Sequence, residues 1–243
     1  MYETVKGIIL RETQYKDADK ILSLLTAERG LVTVKARGVQ RSKSLNKSAC
    51  QLLTYSEFQL YERQGYYTIT EAQPIMMFRQ LREDMELLAL GSYFAQAAEV
   101  LAQEDAPNPE LLSLLLHALN ALCAQKPQML VKGAFELRLA AIAGYEPDLS
   151  GCASCGEEAT RFDITNGELL CANCGGSGLK LPVSPGTLSA MRYILTAEIG
   201  RVFSFSLSDG SIKQLSDVSE AYLLMRLERG FFTLDFYKSL FLT

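Results

Sequence analysis

A single histidine, His117, is all that these 243 residues offer toward imidazole chemistry, and it falls in the most apolar stretch of the chain. A Ser-His-Asp or Cys-His arrangement would have to use it, yet that setting suits a core or boundary packing residue better than a general base. No G-x-x-x-x-G-K-[ST] segment occurs, so a P-loop nucleotide site is absent, and Gly175-Gly176-Ser177-Gly178 reads as a flexible linker. No apolar run approaches the roughly 20 residues needed to cross a bilayer; Leu111 to Leu122 is broken by Ser113, His117 and Asn120. The N-terminus lacks a basic region followed by an apolar one, so it does not read as a signal peptide, and a cytoplasmic protein is expected. Acidic pairs such as Glu83-Asp84 and Glu157-Glu158 are adjacent in sequence and diverge on a helix or strand. An enzyme is not expected from this inventory.

Acidic residues are missing from one window in particular. Between Glu28 and Glu57 there is none, while Arg29, Lys35, Arg37, Arg41, Lys43 and Lys47 all fall there. The net charge of -4 therefore hides an asymmetry: residues 1–80 carry 12 Lys plus Arg against 8 Asp plus Glu, and the remainder carries 12 against 20. A basic front end on an acidic chain fits a local site for a polyanion. Lys35 and Arg37, two apart on an expected strand, share a face that could track a phosphate backbone. Tyr15, Tyr61, Tyr66 and Tyr67 are nearby as possible stacking platforms for bases, or as half-buried barrel packing.

What is present divides the chain by texture. Alternating β-branched and aromatic residues mark strands at Val5–Thr13, Lys20–Thr26, Leu31–Arg37, Phe58–Glu62 and Tyr66–Glu71, with Gly30 and Arg63-Gln64-Gly65 as turns and a polar Gln40–Lys47 segment between the third and fourth. Five strands in so short a span fit a closed barrel of the OB type. Past Pro74 the period becomes helical. Leu87, Gly91, Phe94, Ala98 and Leu101 form one stripe, Asn108-Pro109-Glu110 starts a second helix with a buried Leu111–Leu122 body, and a third runs from Gln128 to Ala143. Further helices are expected near Pro185–Leu195 and Ser216–Arg229. The fold class is thus α+β and multidomain: an OB-fold domain over 1–80, an α-helical domain over 81–149 and 178–243, and a finger inserted at 150–177.

That insert carries the most specific signal. Cys152-Ala-Ser-Cys155 and Cys171-Ala-Asn-Cys174 give two C-x2-C pairs fifteen residues apart, the spacing of a four-cysteine zinc site. Between them, Asn166-Gly167 suits the centre of a type I′ turn that would bring the pairs together. Four thiolates close the zinc tetrahedron, so one structural Zn2+ is expected and no catalytic metal. Cys50 and Cys123 are isolated and read as small buried thiols.

The stretch from Gly7-Ile-Ile-Leu-Arg-Glu-Thr through Asp19-Lys-Ile-Leu22, then Leu24-Leu-Thr-Ala-Glu-Arg-Gly30 and Ala36-Arg-Gly-Val-Gln-Arg-Ser-Lys43, resembles the N-terminal domain of the bacterial RecO family. Leu139 to Gly156, with Gly144-Tyr-Glu-Pro147, resembles the same family's entry into its zinc finger. The resemblance implies a DNA repair and recombination mediator, acting in the cytoplasm at the nucleoid. Such a protein binds single- and double-stranded DNA, anneals complementary strands and, with RecR, helps load RecA onto strands coated by single-stranded-DNA-binding protein. By position, Lys35, Arg37, Arg41, Lys43 and Lys47 match the family's DNA-binding face, with Arg11 and Lys20 as extensions. The family also captures the acidic, apolar-ended tail of single-stranded-DNA-binding protein, for which Lys132 and Arg138 are the candidates here. On the quartet and barrel alone, a binding module in transcription or RNA metabolism is the alternative. Neither reading involves a membrane or a nucleotide.

Overall fold

The computed structural model describes residues 1–175 and 178–241; Gly176 and Ser177, the middle of the expected linker, lie outside the described residues. The chain divides into two compact units, Met1–Leu119 with the segment from Phe231 onward, and Asn120–Gly230.

The first unit begins with the expected barrel. β1 (Tyr2–Tyr15), β2 (Asp19–Thr26), β3 (Gly30–Ala36), β4 (Tyr55–Arg63) and β5 (Tyr66–Met76) close in the order β1-β2-β3-β5-β4, an OB-type barrel. Alternation drives it: Val32, Val34 and Ala36 point inward on β3, while Thr33 and Arg37 face solvent. Phe58, Leu60, Leu22, Leu24, Ile9 and Ile69 complete the core. β1 serves two partners, pairing with β4 from Tyr2 to Ile8 and with β2 from Gly7 onward. Gly7 sits where it changes partner, and a Cβ there would come within 2.9 Å of the Leu25 carbonyl oxygen. The parallel pairing that closes the barrel is short, Val34 with Tyr67 and Lys35 with Thr68.

Helices α1 (Gln80–Glu83), α2 (Met85–Leu101) and α7 (Phe232–Ser239) and most of α3 (Pro109–Cys123) complete this unit. The Asp84 carboxylate accepts the backbone N–H groups of Glu86 at 2.8 Å and Leu87 at 3.1 Å, which sets the start of α2. Asn108 caps α3 by accepting the Leu111 N–H at 3.0 Å. The α2 stripe is buried at Gly91, Phe94 and Ala98 and half-buried at its ends. His117 faces solvent rather than the core. Ser113, His117 and Asn120 recur at steps of four and three, so the helix has one wet stripe that the density of leucines conceals.

The second unit packs α4 (Gln128–Ile142), α5 (Pro185–Thr196) and α6 (Asp209–Leu227) with a small sheet of β6 (Asp148–Cys152), β7 (Arg161–Asp163), β8 (Glu168–Leu170) and β9 (Lys180–Pro182), in the order β6-β8-β7-β9. Gly133 lets α4 approach α6 closely, since a Cβ there would lie 3.0 Å from the Leu215 side chain. α6 also holds the sheet: Tyr222 meets Phe162 edge-on at 5.3 Å, and the Arg226 guanidinium donates to the Thr165 carbonyl at 2.9 Å. The β7–β8 turn differs from the type I′ expectation. Only Gly167 has positive φ, at 73°. The buried Asp163 carboxylate accepts the N–H groups of Thr165 at 2.9 Å and Asn166 at 3.1 Å, and this wider loop leaves one left-handed position instead of two.

Candidate nucleic-acid interface and metal centre

Along the seam between β3 and β5 the barrel surface opens into a groove of about 1250 Å³. Tyr2, Tyr15, Tyr61, Tyr66 and Tyr67 line it, together with Arg29, Lys35, Arg37 and Arg63. Tyr66 is 79% and Tyr2 64% exposed, so their faces are available to a flat ligand. Tyr2 leans on Tyr61 with ring centroids 5.0 Å apart. Tyr66 stands beside the tight β4–β5 turn, where Gln64 and Gly65 both take positive φ and the Glu62 carboxylate accepts the Gly65 N–H at 2.8 Å. Lys35 lies 4.5 Å from the Tyr15 ring centre and 3.2 Å from the Asp19 carboxylate. Asp19 in turn accepts the Gly38 N–H at 2.8 Å, and that bond, with Lys35, holds its carboxyl below the ordinary value.

The other expected cations are dispersed. Lys20 and Lys47 line a separate hollow of about 270 Å³ with Val39, Gln40, Cys50 and Gln51; Lys20 is paired with Glu12 at 2.8 Å. Burial pushes the Cys50 thiol up to about 12, so it stays an inert part of the wall. Arg11 is turned away to Glu99 at 2.9 Å and to Ser23 at 3.1 Å. Arg41 and Lys43 are exposed on the β3–β4 loop. Among the described residues Arg37, Arg41, Lys43 and Lys47 form no ion pair, so their charges are available to an incoming anion.

Sequence reasoning placed Arg29 in the basic window but did not single out Tyr2 and Arg63 as groove residues. Arg63 and Tyr2 flank the Tyr61 and Tyr66 positions across the β1–β4 ladder and the hairpin turn, a proximity that only the register reveals. Arg29 is committed to the fold. Its guanidinium bridges Glu3 at 2.8 Å and Asp105 at 2.8 Å, and stacks 5.0 Å from the Tyr67 ring centre.

Lys132 and Arg138, the cations expected to meet a partner's tail, are engaged inside the second unit. Lys132 is 3% exposed and lies 3.0 Å from Glu136, 2.7 Å from Glu220 and 3.4 Å from the Ser216 hydroxyl. Burial disfavours its charge, but the two carboxylates outweigh that and raise its pKa. A lysine so enclosed has no surface to offer a partner. Arg138 donates to the carbonyls of Ile194, at 3.3 Å, and Leu195, tying α4 to the end of α5.

The cysteine quartet is assembled as its spacing requires. The Sγ atoms of Cys152, Cys155, Cys171 and Cys174 all lie within 4.8 Å of one another, and Cys155 and Cys171 are 3.7 Å apart. A tetrahedron with Zn–S bonds of about 2.3 Å has edges of about 3.8 Å, so the donor set fits that ion. The Cys174 N–H donates to the Cys171 sulfur at 3.3 Å. N–H groups of Cys171, Ser154 and Cys155 pull the Cys152 thiol down to about 6, while the surrounding thiols of Cys155, Cys171 and Cys152 push Cys174 up to about 12. Four sulfurs this close cannot all ionise unaided, and a divalent cation removes that conflict. Arg161, on β7, clasps the second knuckle: one Nη donates to the carbonyls of Cys171 at 2.5 Å, Ala172 at 3.1 Å and Cys174 at 2.9 Å.

No helix among the described residues is long and apolar enough to cross a membrane. Residues 1–78 match the family model described as Recombination protein O N terminal, and residues 82–235 match Recombination protein O C terminal. Similar proteins include the DNA repair protein RecO of Acetivibrio thermocellus, 31% identical over 98% of this chain and 97% of that one, and that of Symbiobacterium thermophilum, 33% identical over 97% and 96%. The DNA repair protein RecO of Bacillus velezensis is 28% identical over 91% of this chain and 88% of its own.

Proposed function

Because the chain belongs to the RecO family, we propose that it is a DNA repair and recombination mediator that binds single- and double-stranded DNA, anneals complementary strands and, with RecR, helps load RecA onto strands coated by single-stranded-DNA-binding protein. The observation that carries this reading is the barrel groove, whose wall holds five tyrosines together with Lys35, Arg37 and Arg63. Bases stack on aromatic rings without regard to sequence, and cations neutralise the phosphates between them. Two strands whose repulsion is lowered in this way pair without nucleotide hydrolysis, so annealing needs no bond chemistry from the protein.

In this reading residues 1–80 form the DNA-binding domain, with Lys35 and Arg37 in the groove and Arg41, Lys43 and Lys47 on the adjoining loop; Lys20 and Arg11 contribute after release from Glu12 and Glu99. Residues 81–149 and 178–243 form the helical domain, the proposed receptor for the tail of single-stranded-DNA-binding protein. Lys132 is buried in ion pairs, so other residues of that domain supply the contact. The quartet in residues 150–177 holds one structural Zn2+, which when bound cross-links the two knuckles. The protein acts in the cytoplasm, at the nucleoid.

The test is the annealing of complementary labelled oligonucleotides by wild type and by a variant carrying Lys35→Ala, Arg37→Ala and Arg41→Ala, across a salt series. Wild type is expected to accelerate annealing, and the variant to lose both rate and salt dependence, by a slope of about 0.7 for each lost contact to a single strand. A wild-type protein that neither binds nor anneals DNA would refute the proposal.

A further inference from the structure

The loop between β3 and β4 carries an apolar side chain in an unusual place. Leu45 is 93% exposed, the highest value for any large hydrophobic side chain among the described residues. It is the one apolar residue between Gln40 and Ser48. Its surroundings are basic: Arg41, Lys43 and Lys47 are exposed, form no ion pair, and lie in the window without acidic residues.

The backbone on both sides of Leu45 is fixed. Successive turns link the Arg41 N–H to the Gly38 carbonyl at 3.1 Å, Ser44 to Arg41 at 3.0 Å, Lys47 to Ser44 at 3.4 Å and Cys50 to Asn46 at 3.0 Å. Asn46, the next residue, is clamped to β5, accepting the Ala72 N–H at 3.1 Å and donating to the Thr70 carbonyl at 3.4 Å. Ala49 and Cys50 are buried in the barrel core. The loop is thus anchored, and Leu45 is held out in water by structure rather than by slack.

An isolated exposed leucine is ordinary; one projected from a pinned turn between unpaired cations has a defined complement. That complement presents phosphates to Lys43 and Lys47 and an apolar surface between them, as a stacked nucleic acid does. Apolar wedges flanked by cations enter base steps, unstack them and bend the strand. We infer that Leu45 is such a wedge, inserting between adjacent bases of DNA while Lys43 and Lys47 hold the flanking phosphates. The inference rests on the DNA-binding reading above and adds a distinct activity, the opening of hairpins within a single strand so that its bases become available for pairing.

The experiment compares wild type, Leu45→Ala and Leu45→Phe on two oligonucleotide pairs, one unstructured and one in which each strand folds into a stable hairpin with 2-aminopurine in its stem. Wild type is expected to anneal both pairs and to raise 2-aminopurine fluorescence. Leu45→Ala should anneal the unstructured pair within about twofold of wild type, slow the hairpin pair about tenfold and lose the fluorescence rise, while Leu45→Phe keeps all three. If Leu45→Ala opens and anneals the hairpin pair as fast as wild type, or slows both pairs equally, the wedge is overturned and the DNA-binding reading stands. If wild type anneals neither pair, both fall together.

Discussion

Arg161 shows how much a single side chain can contribute to a candidate metal site without being one of its four thiol ligands. Its three bonds to knuckle carbonyls orient the loop that presents Cys171 and Cys174. Arg161→Met is expected to speed zinc transfer to a chelator about tenfold and to shift the charge-transfer bands of the cobalt-substituted protein, with Arg161→Lys intermediate. Cys171→Ser should go further, lowering zinc content by metal analysis while DNA binding persists. Asp19 gives a pH-dependent counterpart. Its carboxyl is held below the ordinary 3.8 by the Gly38 N–H and by Lys35, so its link is intact above that value and is lost as pH falls through and below it. Unfolding midpoints of wild type and Asp19→Asn should therefore differ at pH 6 and converge toward pH 3. At this scale the cysteines were legible because their chemistry is local: spacing alone brings the pairs together. Lys132 and His117 were not. Both lie on helices rich in apolar residues, where the sequence does not say which face meets the core, and one charged residue went inside while the lone histidine went outside.

Among the elements, the β2–β3 turn is the most constrained. Gly30 takes φ of 63°, and a Cβ there would come within 2.3 Å of the carbonyl oxygens of both Gln103 and Ala106. Gly30→Ala is expected to destabilise the barrel by at least about 2 kcal/mol, read as a lower urea midpoint, because left-handed strain and a backbone clash coincide. The turn itself was legible from its glycine, but the packed 103–106 segment was not, since nothing in a sequence reports a contact between a hairpin and a loop some seventy residues later. The barrel strands were visible through their alternation. β6 and β9 were not, being short strands that pair only inside the finger sheet. α6 was expected from Ser216 but starts at Asp209. Ile212 and Leu215 already lie on its buried face, and Gly210, a poor helix former, masked the earlier start.

For the molecule as a whole, the two units should respond differently to metal removal. A four-cysteine zinc site contributes on the order of 10 kcal/mol to folding around it. Chelation is therefore expected to release amide protection across β6, β7, β8 and β9 first, as read by hydrogen exchange, because Cys152, Leu170 and Cys171 make up the small core there; protection unchanged by a strong chelator would mean that the sheet stands without the ion. The division into units was only half legible. The change from strands to helices after Pro74 was plain, but the return of the chain to its first unit was not, because Phe231 and α7 form a segment too short to advertise its partner. That partner is α2, where Tyr93 meets Phe231 edge-on at 5.5 Å and Gln96 accepts from the Thr233 N–H at 3.3 Å and its hydroxyl at 2.5 Å. A ribosome delivers α2 well before α7, and the stretch between them, Asn120 to Gly230, takes on the order of ten seconds to synthesise at about 5–20 residues per second. Throughout that interval the aromatic face of α2 waits for Phe231 and α7, so the first unit closes only after the whole of the second has been made.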